Sequence, residues 1–219
     1  MEGTAQRMTS REAILRDIRN NLGRGAPVAD PVPPPVRLNV PNVPVGLRIE
    51  RMLDRVAALA GAAFHAKSAA EALAYVAGIT AGRTSIASNS AVLRDIGITA
   101  LPGVESAVTD SVKLRGLCAT ADFGITSADY ALSDTGSLVM IASPEDARLI
   151  SLLPPVHIAV VPVDRLLSGL DELYTLIPKP ADRTSSMVFI TGPSRTADIE
   201  QLLVRGVHGP GEIHVVIVG

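Results

Sequence analysis

Two runs of the chain, VHIAVV (156–161) and IHVVIV (213–218), are apolar at nearly every position and rich in β-branched residues. A strand with one face in water alternates apolar and polar side chains, whereas a strand covered on both faces does not. These runs therefore demand packed layers above and below them. Segments of helical spacing supply those layers. Ser68 and Glu71 form a capping box before a helix reaching about residue 80, and Ala91–Ile96 and residues 110–119 read as further helices. AAFHA (62–66), TSIAS (84–88), FGIT (123–126) and SMVFI (186–190) read as strands, and DYALSDTGSLVMIA (129–142) as two short strands around a turn. Ser143-Pro144-Glu145-Asp146 has the N-cap, N1 proline and first-turn acids of a helix start. Val163, Leu166, Leu167, Leu170, Leu173, Tyr174 and Ile177 form one helical stripe, and another helix is predicted from about residue 197. The predicted fold is α/β, a mostly parallel sheet with helices on both faces, which places ligands at the carboxyl ends of strands.

Ahead of this domain, Thr9 and Glu12 make a second capping box, and Ile14, Leu15, Ile18 and Leu22 share a face of a helix ended by Gly23 and Gly25. Seven of the sixteen prolines then fall within residues 26–46. Such a stretch builds neither helix nor central sheet. The expected organisation is an N-terminal helical arm (1–25), a Pro-rich linker (26–46) and an α/β domain (47–219).

Aromatic residues make up only 3% and tryptophan is absent, so the core is aliphatic. The net charge of −2 gives no general field for nucleic acid or anionic lipid. No apolar run reaches the ~18–20 residues of a membrane span, and a charged N-terminal helix stands where a secretory signal has an apolar core. A cytoplasmic protein without membrane insertion is expected. Cys118, the single cysteine, supports neither an internal disulfide nor a Cys-rich cluster site, His157 inside an apolar strand reads as a core residue, and His65 and His214 lack metal-ligand spacing. No bound cofactor or metal is expected.

Two strand-end segments carry candidate chemistry. Ser133-Asp134-Thr135-Gly136-Ser137 gathers a carboxylate, hydroxyl groups and a glycine. The same residues also suit an ordinary hairpin turn. In Gly192-Pro193-Ser194-Arg195-Thr196, the arginine can grip a carboxylate or phosphate beside the N–H groups of the helix predicted to follow. His208, in Gly206-Val207-His208-Gly209-Pro210, is a candidate proton donor or a structural end-cap. The expected pocket sets Asp134, Thr135, Gly136 and Ser137 opposite Ser194, Arg195 and Thr196, with Asp134 and His208 as catalytic candidates and a small carboxylate or similar anion as ligand.

TGPSRTADIEQLLVRGVHGP, ADYALSDTGSLVM, RLISLLPPVHIAVVP and the N-terminal ILRDIRNNLGR resemble, over nearly the whole chain, the LUD-domain family and its bacterial lactate-utilisation branch. The resemblance implies a fold similar to the NagB/RpiA/CoA-transferase group. It implies a non-redox component of a system oxidising L-lactate to pyruvate, whose partner subunits carry the iron–sulfur cysteines. It does not imply an independent oxidoreductase. Members of the family commonly have glutamate where this chain has Asp134. The related CoA-transferases use a glutamate nucleophile in a comparable turn. Asp134 falls roughly 1–1.5 Å short of that reach, which argues against covalent catalysis and leaves binding or orientation. A stand-alone enzyme on a CoA-linked or phosphorylated substrate, and a pure scaffold, are the alternatives.

Overall fold

The computed structural model of the chain describes residues 9–23, 38–199 and 202–219, with the backbone alone for 196–199 and 202–205. The chain divides into two compact units, 1–37 and 38–219. In the first, α1 (Ser10–Asn21) starts at the Thr9–Glu12 capping box, with both reciprocal hydrogen bonds present. It ends at Gly23, whose φ of +65° is open to glycine without strain. Gly25 and residues 26–37 of the Pro-rich segment lie outside the described residues.

The second unit takes in residues 38–46 as well. Val43 is buried, and the backbone N–H of Asn39 donates to Asp171 at 3.0 Å. The next elements are α2 (Val45–Ala58), β1 (Ala62–Ala66), α3 (Ala69–Thr80), β2 (Ser85–Ala87) and α4 (Ala91–Ile96). β3 (Val104–Glu105), α5 (Ser111–Thr120) and β4 (Phe123–Ser127) follow. The chain continues through β5 (Tyr130–Leu132), β6 (Ser137–Ile141), β7 (Val156–Pro162), β8 (Leu166–Leu167) and α6 (Leu170–Leu176). It closes with β9 (Met187–Ile190), β10 (Arg195–Ile199), β11 (Leu202–Arg205) and β12 (Glu212–Val218).

Six strands form one parallel sheet in the order β1-β12-β7-β4-β2-β3. The two apolar runs, β7 and β12, are adjacent at its centre and buried on both faces as their composition requires. Alternation sends Ile158, Val160 and Val216 to one face, where they pack with α3 and α4 through Val76 and Leu93. Ala159, Val161, Ile213, Val215 and Ile217 face the other way. There they meet Met52 and Val56 of α2 and a second sheet of order β8-β5-β6-β9. Farther along this second face, Ile86 packs with Cys118 of α5 and with Ile150.

Three expected helices differ in the structure. The stripe 163–177 is broken by Gly169, leaving β8 paired with β5 and a short α6. A Cβ on Gly169 would stand 2.5 Å from an Asp134 carboxylate oxygen, so the movable end of that side chain lies directly against the Gly169 backbone. After Ser143, whose hydroxyl accepts from the N–H of Asp146 at 3.0 Å, the chain is drawn to β2 by the Asn89 N–H on the Glu145 carbonyl. Only a 3₁₀ turn, Arg148–Ser151, forms there. The helix expected from about 197 is instead the antiparallel pair β10–β11, with Arg195 opposite Arg205 and Ile199 opposite Leu202. Ser194 donates to the Pro210 carbonyl at 2.8 Å and accepts from Gly206 at 3.0 Å, which brings the two ends of the segment together. A helix advances ~1.5 Å per residue and would separate those ends, whereas a hairpin joins them.

Candidate functional site

Between β5 and β6 the turn is fixed by backbone hydrogen bonds. Ser133 N–H donates to Leu167 O and Gly136 N–H to Leu132 O, both at 2.9 Å. Gly136 has φ +71°, and a Cβ there would lie 2.8 Å from the Arg55 side chain of α2. Glycine is thus required both by conformation and by the helix lying over the turn. Thr135 and Ser137 join hydroxyls at 2.9 Å, and Ser137 reaches Thr191 at 2.7 Å. Since β6 pairs with β9, Leu138 opposite Ile190, the strand ends near 134 and 191 are side by side. They meet in the four-stranded sheet, not in the parallel one.

The predicted residues beyond Thr191 take other places. The Arg195 guanidinium donates to the carbonyl of Leu59, the residue ending α2, and supplies a partner that helix termini lack. The helix N-terminus expected beside it is absent, because the backbone there runs in the β10–β11 ladder. Ser194 is engaged through its backbone with the 206–210 turn that carries the exposed His208. The side chain of Thr196 lies outside the described residues. Asp134 instead lines a cleft of about 330 Å3 with Asn39, Arg51, Ser168, Gly169 and Asp171. Arg51, on α2, is the cation of that cleft. Its signal in the sequence was weak, since an exposed arginine on an amphipathic helix looks like any solvated charge.

The floor of this region is braced by an ion pair. Arg48 meets Glu172 at 3.1 Å and also donates to the Val43 and Leu166 carbonyls. Burial alone would raise the Glu172 carboxyl, but hydrogen bonds from the Ser168 hydroxyl and N–H, together with Arg48, hold it below its ordinary value.

A different group of polar side chains, not foreseen from the sequence, collects between the carboxyl ends of β2 and β4 and the amino end of β7. Ser88, Thr126 and His157 project from the face that carries Ile86 and Ile150. Thr126 Oγ1 and His157 Nε2 are 2.8 Å apart, and His157 Nδ1 has no partner. Complete burial pushes the imidazole down to about 4, so it is neutral at physiological pH. Asp129 accepts the Ile141 N–H at 2.6 Å. Burial raises its carboxyl, opposed by that hydrogen bond and by Arg165. Asp146 is also raised, first by burial and then by the charges of Asp129 and Glu145, while Ser88 and Arg165 oppose the shift. Ser88 faces Asp146 and opposes the shift by hydrogen-bonding its carboxyl. In the sequence Asp146 looked like a first-turn helix acid, and that plainer role concealed it.

The other histidines serve structure. His214 joins Glu212 through Nε2 at 2.7 Å and the Tyr75 hydroxyl through Nδ1 at 2.9 Å, and His65 Nε2–H donates to the Gly219 carbonyl at 2.7 Å. Cys118 is buried, which raises its thiol. Among the described residues no group of three His, Cys, Asp or Glu could hold a metal ion, and no helix is long and apolar enough to cross a membrane.

A parallel sheet covered on both faces, with a mixed four-stranded annex carrying a Ser-Asp-Thr-Gly turn, defines an α/β protein of a distinct class. The LUD domain profile matches residues 49–218, and the chain belongs to the LUD domain family. It is 42% identical over 108 residues to lactate utilization protein C of Exiguobacterium sp., covering 48% of this chain and 47% of that protein. It is 40% identical over 106 residues to the protein of the same name from Halalkalibacterium halodurans, covering 47% and 46% of the two chains. With the Bacillus subtilis protein of that name it shares 38% over 102 residues, covering 45% and 42%. The chain spans about half the length of the curated relatives it matches. Among solved structures, a DUF162 family protein from Deinococcus radiodurans superposes with a TM-score of 0.64 at 20% identity, covering 81% of this chain and 99% of that one. That likeness shows the fold.

Proposed function

We propose that this chain is a non-redox component of a bacterial lactate-utilisation system, acting in the cytoplasm on a small carboxylate and assembling with iron–sulfur partner subunits. The observation that carries this reading is the match to relatives named lactate utilization protein C, at 34–42% identity over about half of the chain. A single buried cysteine supports the non-redox part. The cleft of Arg51 and Asp134 supports the carboxylate part. Arg51 offers a planar fork to a carboxylate, and Asp134 accepts from a hydroxyl on the adjacent carbon. Thr135, Gly136 and Ser137 set the turn. On this reading Ser194, Arg195 and Thr196, with the exposed His208, form an edge for partner subunits.

The test is genetic and biochemical. A strain lacking the chain should lose growth on L-lactate and regain it when the full chain is restored, and the tagged chain should retain iron-containing subunits from lactate-grown cells. Undiminished growth on L-lactate in the deletion strain overturns the reading.

A further inference from the structure

The Arg51–Asp134 cleft is unevenly charged. Its one cation among the described residues is Arg51, which makes no hydrogen bond or ion pair there. Its two acids are Asp134, equally without a partner among the described residues, and Asp171. The segment ahead of α2 holds Asp171 in place, because the Asn39 N–H donates to its Oδ2 at 3.0 Å. That bond orients the carboxylate without neutralising it. The arginine at the floor is already engaged. Arg48 meets Glu172 at 3.1 Å and donates to the Val43 and Leu166 carbonyls, so the pair is neutral and offers the cleft no further positive charge. A ligand carboxylate on Arg51 therefore uses the only positive charge that lines the cleft. The rest of the wall, from Ser168 to Asp171 and across to Asn39, is neutral or acidic.

Resting on the carboxylate reading of this cleft, we propose that Asp171 is a specificity-determining residue that restricts the ligand to hydroxy acids with a single carboxylate. Size does not make this choice. At about 330 Å3 the cleft reaches the ~300–1,000 Å3 of ordinary ligand pockets, and a four-carbon hydroxy diacid fits as well as lactate. Charge makes it. With one carboxylate on Arg51 and the hydroxyl on Asp134, the second carboxylate of a diacid has no cation to meet and shares the cleft with both aspartates. Two like charges about 5 Å apart lower affinity about fourfold in bulk water, and more than about a hundredfold at the effective dielectric of a protein surface. A monoacid has an uncharged substituent in the same place and meets no such repulsion.

L-Lactate and L-malate are the probes, titrated by calorimetry into the full chain at low and high salt. L-Lactate should bind at least about tenfold more tightly than L-malate, and the ratio should shrink as salt screens the charges. Asp171→Asn, which keeps an oxygen for the Asn39 N–H, should raise L-malate affinity more than L-lactate affinity and cut the ratio about tenfold. Asp171→Ser makes the same comparison if the asparagine variant does not fold. Asp164→Asn, an equal change of net charge at an exposed residue outside the cleft, should leave the ratio as it is. The inference is overturned if L-malate binds the wild-type chain as tightly as L-lactate, or if removing the Asp171 charge leaves the ratio unaltered. A wild-type chain that binds no L-lactate overturns the carboxylate reading of the cleft itself, and this inference falls with it.

Discussion

His157 makes the stability of this protein depend on pH in a way that can be worked out beforehand. Its imidazole is fully buried and titrates at about 4, against an ordinary value of 6.5 in the unfolded chain. Between these values the unfolded state binds a proton that the native state refuses. The contribution of His157 is therefore intact above pH 6.5 and is lost as pH falls towards 4, below which both states are protonated. At pH 4 the linked loss is about 3 kcal/mol. Asp129 and Asp146 act in the opposite sense. Their carboxyls are raised above the ordinary 3.8, so what they contribute is present in acid and lost as pH rises. A single pH profile mixes the two effects, and a difference against His157→Leu separates them. That variant loses the Thr126 hydrogen bond and some packing at every pH, but it carries no imidazole to protonate. Urea unfolding at pH 7.5 and pH 4 should show the disadvantage of His157→Leu shrinking by about 3 kcal/mol in acid. An equal gap at both pH values would show that the imidazole protonates in the native state, and the argument from burial would fail.

Gly124→Ala should destabilise by at least ~1–3 kcal/mol, the range for overpacking, because a Cβ there lies 1.9 Å from the Ile150 carbonyl; denaturant unfolding checks it, and a stability equal to wild type refutes it. Asp146→Asn should raise the melting temperature at pH 8 and leave it nearly unchanged at pH 3, where the aspartate is already protonated in both states; calorimetry at the two pH values distinguishes this from a uniform effect. Arg51→Ala should weaken L-lactate binding roughly ten- to hundredfold with little change in melting temperature, and isothermal calorimetry that finds no difference removes the arginine from the site.

Regions where periodicity and end-signals agreed were legible from residues alone. The apolar runs of β7 and β12 announced a sheet buried on both sides, and Ser68 and Thr9 each cap the helix that follows. What stayed hidden depended on contacts between distant residues. Ile199, Leu202 and Leu203 have helical spacing, but the joining of Ser194 to Gly206 and Pro210 is invisible in a local window. Gly169 could have been noticed as an interruption, but the Asp134 carboxylate lying against it could not. The same limit governed the candidate site. Asp134 and its turn stood out by composition, whereas the arginine that shares its cleft comes from 83 positions earlier and carries no local mark.

The position of β12 has a consequence for how the protein is made. Among the described residues β1 pairs in the sheet with β12 alone, with Ala62 beside His214, and β12 also forms the inner seam against β7. A chain emerging from the ribosome therefore displays β1 without its neighbour for most of its synthesis, on the order of 10 s at usual elongation rates, and one flank of β7 for the shorter time between the completion of β7 and that of β12. During those intervals the two flanks are open templates for strands of other chains. The burden on holding chaperones should thus be heaviest just before residue 212, and premature stops upstream of it should yield aggregates instead of shortened native domains.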